Sequence, residues 1–208
     1  MRRSLPLAVG ALLAATAALT TFALAAPAKE TKPMEKPTSD KPTDKPTLET
    51  ATLAGGCFWG MEDLLRKIPG VVEIKVGYTG GHLENPKYDD THDSKSGHAE
   101  AVQLTFDPAK LSYETLLEKW FFKMHDPTTL NQQGNDRGSQ YRSAIFFHSE
   151  AQKKIAEAVK ERANKSGKWK RPVVTEIAPA TRFWLAEDYH QDYLQKNPGG
   201  YTCHYMRE

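Results

Sequence analysis

Cys57 is the residue of this chain whose setting best suits covalent chemistry. It lies in Gly55-Gly56-Cys57-Phe58-Trp59-Gly60, between an apolar strand pattern over 50–54 and a helical pattern over 58–67. The two preceding glycines permit a sharp turn and bring backbone N–H groups near the sulfur. A helix N-terminus carries partial positive charge and unpaired donors, which favour a thiolate and hence a nucleophile. Phe58 and Trp59 read as an apolar wall beside it. The other cysteine is Cys203, in the glycine-framed tail 197–204. A pair of cysteines in an oxidising compartment is commonly a structural disulfide, and that reading stands beside the catalytic one. His98, His125, His190 and His204 leave room for a third, a Cys–His hydrolase. Zinc would want ligands in close pairs, and Cys203-His204 alone is poor evidence. No metal is expected.

Positioning these residues falls to a domain of about 160 residues, over 48–208, a size that suits a single core. After the helix over 58–67, Pro69-Gly70 makes a stop and a strand follows over 71–78. A long polar stretch covers 79–97, and a strand covers 99–106. Ser112 is placed to cap a helix whose inner face carries Leu116, Leu117, Trp120 and Met124. A second polar loop runs over 126–140, followed by a strand over 141–148 and a helix over 149–165. A strand over 173–178 and a helix over 186–196 come last. The order strand, helix, strand, strand, helix, strand is the split βαβ arrangement of ferredoxin-like α+β folds. An antiparallel or mixed sheet with packed helices is expected, extended by the C-terminal helix, strand and helix.

The chain opens differently. Met1-Arg2-Arg3 is basic, 5–24 is nearly free of charge, and Ala23-Leu24-Ala25 offers a small-residue processing site. Segment 1–26 therefore reads as a secretory signal, with an uncleaved anchor as its alternative. Pro33, Pro37, Pro42 and Pro46 punctuate a Lys- and Thr-rich stretch over 27–47 that has little to bury and reads as a solvated tether. An exported, periplasmic-type location is expected, membrane-anchored if the signal is retained. With 28 basic and 26 acidic residues the net charge is +2, which argues against a nucleic-acid partner. A monomer is expected.

Gly56-Cys57-Phe58-Trp59-Gly60 resembles the signature of the A-type peptide methionine sulfoxide reductases. Further motifs follow in the family's order: Gly77-Tyr78-Thr79-Gly80-Gly81, Asn85-Pro86-Lys87-Tyr88, Gly97-His98-Ala99-Glu100, His125-Asp126-Pro127-Thr128, the run from Gln133 to Ser143, and Glu187 to Leu194. The likeness extends from about Leu53 to Cys203. Ser96 stands where the family often has Thr.

The resemblance implies reduction of methionine-S-sulfoxide, free and in proteins, as repair of oxidative damage. Cys57 would be the nucleophile and become a sulfenic acid, which condenses readily with a thiol. Glu100 would be a neutral acid that protonates the departing oxygen. Tyr88 and Tyr141 would donate hydrogen bonds to that oxygen, Asp136 would order the site, and Phe58 and Trp59 would receive the substrate methyl group. Cys203, on a tail able to swing in, would close a Cys57–Cys203 disulfide. A thioredoxin or thioredoxin-like donor would reopen it, with no bound cofactor.

Overall fold

The computed structural model describes residues 47–93 and 95–208. The signal over 1–26 and all but the last residue of the tether over 27–47 lie outside the described residues. In chain order the elements are β1 (Glu49–Gly55), α1 (Phe58–Leu65), β2 (Val71–Thr79), α2 (Tyr88–His92) and β3 (Ala99–Phe106). Next come α3 (Tyr113–Thr115), a π-helical turn (Leu116–Phe121) and α4 (Phe122–Met124), one continuous helical rod. The short β4 (Gln132–Gln133) and β5 (Asp136–Arg137), a 3-10 turn (Ser139–Tyr141), β6 (Ser143–Phe147), α5 (Glu150–Lys165), β7 (Glu176–Pro179), β8 (Trp184–Leu185) and α6 (Tyr193–Lys196) complete it.

The expected α+β architecture holds. A six-stranded sheet runs in the order β7-β6-β1-β3-β2-β8, and its central four strands have the ferredoxin-like arrangement. Neighbouring strands are antiparallel except β6 and β7, which are parallel. β1 is buried almost throughout because it pairs with β3 and β6. Leu53, Phe58, Met61, Leu65, Leu104, Phe106, Leu116, Leu117 and Phe121 form the centre of the core.

Strand register carries the functional residues to one end of the sheet. Leu53 pairs with Val102 and Gly55 with Ser143. Continuing those antiparallel registers by two residues brings Glu100 level with Gly55 and Tyr141 level with Cys57.

Several elements differ from the sequence reading, each for a local reason. The polar stretch 79–97 contains α2, stabilised at its start by Lys87 N–H donating to Asp90 at 2.8 Å. The helix capped by Ser112, whose Oγ accepts from Thr115 N–H at 3.1 Å, passes through a π-helical turn. The wider turn rotates the inward face, so Phe121 is fully buried while Trp120 is only partly so. The strand expected over 141–148 begins at Ser143, because the 3-10 turn consumes Tyr141. The strand expected over 173–178 is pushed to Glu176–Pro179, since Val173 N–H is taken by Asn164 and Val174 N–H by the Pro127 carbonyl. The helix expected over 186–196 shrinks to α6. Asp192 is left-handed there, with φ of 56°, and Glu187, His190 and Gln191 direct their side chains to other elements.

Candidate active site

The turn from β1 into α1 makes Cys57 the helix N-cap, with Phe58 and Trp59 the first two helical residues. Gly56 has φ of 112°, and a Cβ there would meet Gln133 Cγ at 2.6 Å; the turn needs glycine both for backbone conformation and for the close approach of the polar loop. Phe58 N–H does not cap the helix onto Cys57 but donates to Glu100 Oε2 at 3.1 Å. Trp59 N–H is directed toward the sulfur.

A cavity of about 120 Å³ opens here, lined by Cys57, Phe58, Trp59, Tyr88, Glu100, Asp136, Tyr141 and Tyr201. It gathers every residue to which the family resemblance gave a role except Cys203. A larger hollow of about 580 Å³ lies by Pro108, Tyr113 and His148, but no thiol lines it.

Glu100 is 1% exposed. Burial, opposed only by the Phe58 N–H and reinforced by the Asp136 carboxylate, pushes its carboxyl up to about 8. It therefore carries a proton at neutral pH. Cys57, 6% exposed, departs from the expectation of a thiolate. Burial raises its pKa first, and the nearby Glu100 carboxylate adds to this, while the Trp59 N–H opposes them without prevailing. The resting sulfur is a neutral thiol because desolvation outweighs the partial charge of one helix end. A neutral Glu100 removes the second of those two influences.

Tyr88 enters on α2. Burial, then the Glu100 charge, pushes its phenol up to about 12. Tyr141 is raised as well, again by burial first, so both phenols stay protonated and able to donate. Tyr141 is set by Gly138, with φ of 136°, whose carbonyl accepts the Tyr141 N–H at 3.0 Å. Asp136 belongs to the β4–β5 hairpin and accepts the Tyr201 hydroxyl at 2.9 Å on Oδ1. Its Oδ2 is buried, and the carboxylate acts on the Cys203 thiol, adding to burial in raising its pKa.

Cys57 and Cys203 are both free thiols, which sets aside the structural disulfide in this state. They are nevertheless neighbours. Burial pushes the Cys203 thiol up to about 12, and the Cys57 N–H, directed at that sulfur, opposes the rise. The tail does not have to swing in; it is already docked. The four histidines that suggested a hydrolase are engaged by groups other than the Cys57 sulfur, His190 by the Trp59 indole N–H. His98 bonds Gly81 N–H and the Leu83 carbonyl, His125 bonds the Phe121 carbonyl and Ser143, and His204 bonds the Gly55 carbonyl and Cys203.

Three residues near the cavity were given no role by the family resemblance. Tyr201 lines the cavity, and its position two residues before Cys203 was the signal available. His190 accepts Trp59 Nε1–H at 3.0 Å, while Trp59 stacks on Tyr193 with centroids 3.7 Å apart. Glu187 accepts both the Tyr78 hydroxyl at 3.0 Å and the Tyr88 N–H at 3.1 Å.

Two adjacent free thiols, one of them facing a protonated carboxyl, give the α+β domain the character of a thiol-based oxidoreductase. Known proteins narrow this. The family model described as "Peptide methionine sulfoxide reductase" matches residues 49–208, and the chain belongs to that family, in its A-type branch. It is 55% identical over 159 residues to the peptide methionine sulfoxide reductase MsrA 1 of Mesorhizobium japonicum, covering 76% of this chain and 90% of that protein. Among solved structures it resembles reduced Mxr1 from Saccharomyces cerevisiae, with a TM-score of 0.73 and 40% identity over 77% of this chain and 93% of that one. Mxr1 in complex with Trx2 aligns with a TM-score of 0.54 and 30% identity, covering 79% of this chain and 94% of that one.

Proposed function

We propose that the chain reduces the S epimer of methionine sulfoxide, free and within proteins, through a Cys57 sulfenic acid and a Cys57–Cys203 disulfide. The observation that carries this reading is the pairing of a free Cys57 thiol with the buried Glu100 carboxyl across one small cavity.

In the first step the Cys57 sulfur attacks the sulfoxide sulfur while Glu100 gives its proton to the sulfoxide oxygen. The S–O bond breaks as the oxygen passes to Cys57, and the transient sulfur–sulfur bond breaks with it. Methionine leaves, Cys57 is left as S–OH, and the thiol proton returns to Glu100. Methionine is reduced by two electrons and Cys57 is oxidised by two. Tyr88 and Tyr141, both protonated, donate to the oxygen as charge builds on it. Phe58 and Trp59 enclose the methyl group, whose burial is worth about 1 kcal/mol. A cavity of about 120 Å³ has room for about four water-sized groups, enough for methyl, sulfur, oxygen and one methylene.

In the second step Cys203 sulfur bonds to Cys57 sulfur, and the hydroxyl leaves as water with the Cys203 proton. A dithiol donor then reduces the disulfide. The complex of Mxr1 with Trx2 supports a thioredoxin-like donor for this chain. Export to an oxidising compartment, read from segment 1–26, belongs to the same proposal.

The test is an epimer-resolved assay with dithiothreitol on wild type and Cys57→Ser. Turnover of the S form alone, abolished in the variant, is expected. Equal turnover of both epimers, or activity surviving in Cys57→Ser, would overturn the reading.

A further inference from the structure

The side chain of His204 has no part in the chemistry just described, yet it is one of the most constrained groups near the two thiols. It is buried and its ring bridges two functional segments. The Gly55 carbonyl, 2.8 Å from Nε2, can only accept, so Nε2 must carry the ring proton. Nδ1 is then a bare acceptor, and it lies 3.4 Å from Cys203 Sγ. The Cys203 S–H can donate to it, with the Asp136 carboxylate as a second acceptor beside that thiol. His204 N–H closes a local turn onto Thr202 Oγ1 at 3.1 Å.

The tail is tied on both sides of these residues. Tyr201 bonds Asp136 at 2.9 Å, and Arg207 N–H bonds the Lys123 carbonyl at 2.9 Å. The first turn of α1 makes space for the docking. A Cβ at Gly60 would lie 2.2 Å from Thr202 Oγ1 and 2.7 Å from His204 Nδ1. Gly60 thus lets the tail lie against the helix that begins at the nucleophile.

We infer that His204 is a positioning residue for the resolving step. Its Nε2–H bond to Gly55 anchors the tail to the strand-to-helix turn that presents Cys57, and its Nδ1 holds the Cys203 thiol beside that turn. The inference rests on the assignment of Cys57 as nucleophile and Cys203 as resolving thiol. Its physical content is proximity: a reacting group held in place by a neighbouring anchor need not give up tail freedom at the moment of reaction. The step it serves is balanced as Cys57–SOH plus Cys203–SH giving the disulfide and water. Burial keeps the ring neutral, lowering its pKa to about 4, so both ring nitrogens hold these roles throughout the neutral range.

Single-turnover kinetics test this. Reduced enzyme is mixed with excess methionine-S-sulfoxide without reductant and quenched at intervals. Methionine, the dimedone adduct of the sulfenic acid and the Cys57–Cys203 disulfide are then counted. His204→Ala is expected to release one methionine per enzyme, accumulate the dimedone adduct and form the disulfide roughly tenfold or more slowly. His204→Gln, whose amide N–H reaches toward the Gly55 carbonyl, should recover most of the rate. Wild-type disulfide formation in His204→Ala, or no recovery in His204→Gln, overturns the inference. If His204→Ala does not fold, Gly60→Ala takes its place: the crowded tail should again resolve slowly, and a wild-type rate there counts against the anchor. Absence of any methionine release by wild type would instead sink the underlying assignment, and this inference with it.

Discussion

Phe58 N–H donates to Glu100 Oε2 at 3.1 Å, so the residue after Cys57 fixes the Glu100 carboxyl directly. One backbone group couples the start of α1 to the middle of the sheet. Glu100 is thereby oriented without a cationic partner, which leaves burial free to hold it in the protonated form. Glu100→Gln preserves shape and the acceptor for Phe58 N–H but cannot give up a proton. Single-turnover methionine release should fall by about 100-fold or more, while the variant still folds. A loss of less than tenfold would remove Glu100 from the role of acid.

The same carboxyl leaves a thermodynamic mark. Its folded-state pKa of about 8 lies above the ordinary 4.5. Below pH 4.5 both folded and unfolded chains hold the proton, and the penalty is absent. Between 4.5 and 8 the unfolded chain gives up a proton that the folded chain keeps, so stability falls as pH rises, by up to about 1.4 kcal/mol per pH unit. Above 8 the effect levels off. Glu100→Gln lacks this dependence and should gain on wild type across that window in denaturant titrations. Parallel stability curves for the two proteins would contradict it.

Much of this site is legible in the sequence alone. Alternation over 50–54, 71–78 and 99–106 marks the three strands that position Cys57 and Glu100, because one face of each is buried in a continuous core. Glycines around Cys57 and aromatics beside it mark the turn. The polar loops were opaque for a physical reason: their order comes from side chains reaching across the fold. Glu187 joins Tyr78 and Tyr88 over 109 and 99 residues of chain, and Gln191 meets the backbone of Val76 115 residues away. A periodic pattern can announce a helix over 186–196; it carries no trace of the partners that unwind it. The same holds for the Cys57 thiol: the helix end that favours a thiolate is visible in sequence, and the depth of burial that raises its pKa is not.

Glu187 provides a test of this long-range wiring. Burial raises its pKa, but donors from its own backbone, Tyr88 N–H and the Tyr78 hydroxyl outweigh that and hold it below the usual range. It is a charged acceptor that ties α2, and so Tyr88, to β2. Glu187→Ala should lower kcat/KM about tenfold by loosening Tyr88. It should also cost about 1–3 kcal/mol by leaving the Tyr78 hydroxyl without a partner. In Tyr78→Phe the carboxylate still holds Tyr88 N–H, so kcat/KM should stay within about twofold. Equal activity losses in the two variants would show that the effect runs through packing of Tyr78 rather than placement of Tyr88.

His190 should separate binding of the methyl group from the chemistry at sulfur. It accepts Trp59 Nε1–H at 3.0 Å, and its ring lies 5.1 Å from Phe58 and 4.5 Å from Tyr88 between centroids. Burial lowers its pKa to about 4, so the acceptor nitrogen remains free of a proton at neutral pH. Without that acceptor the indole keeps its stack on Tyr193 but loses the bond that fixes its orientation within the stack. Enclosure of the methyl group is made in the ground state as much as in the transition state, so its loss should raise KM more than it lowers kcat. His190→Leu, which retains bulk without the nitrogen, is expected to raise KM about five- to tenfold with kcat within about threefold. A fall confined to kcat in steady-state assays would place His190 in the chemical step instead.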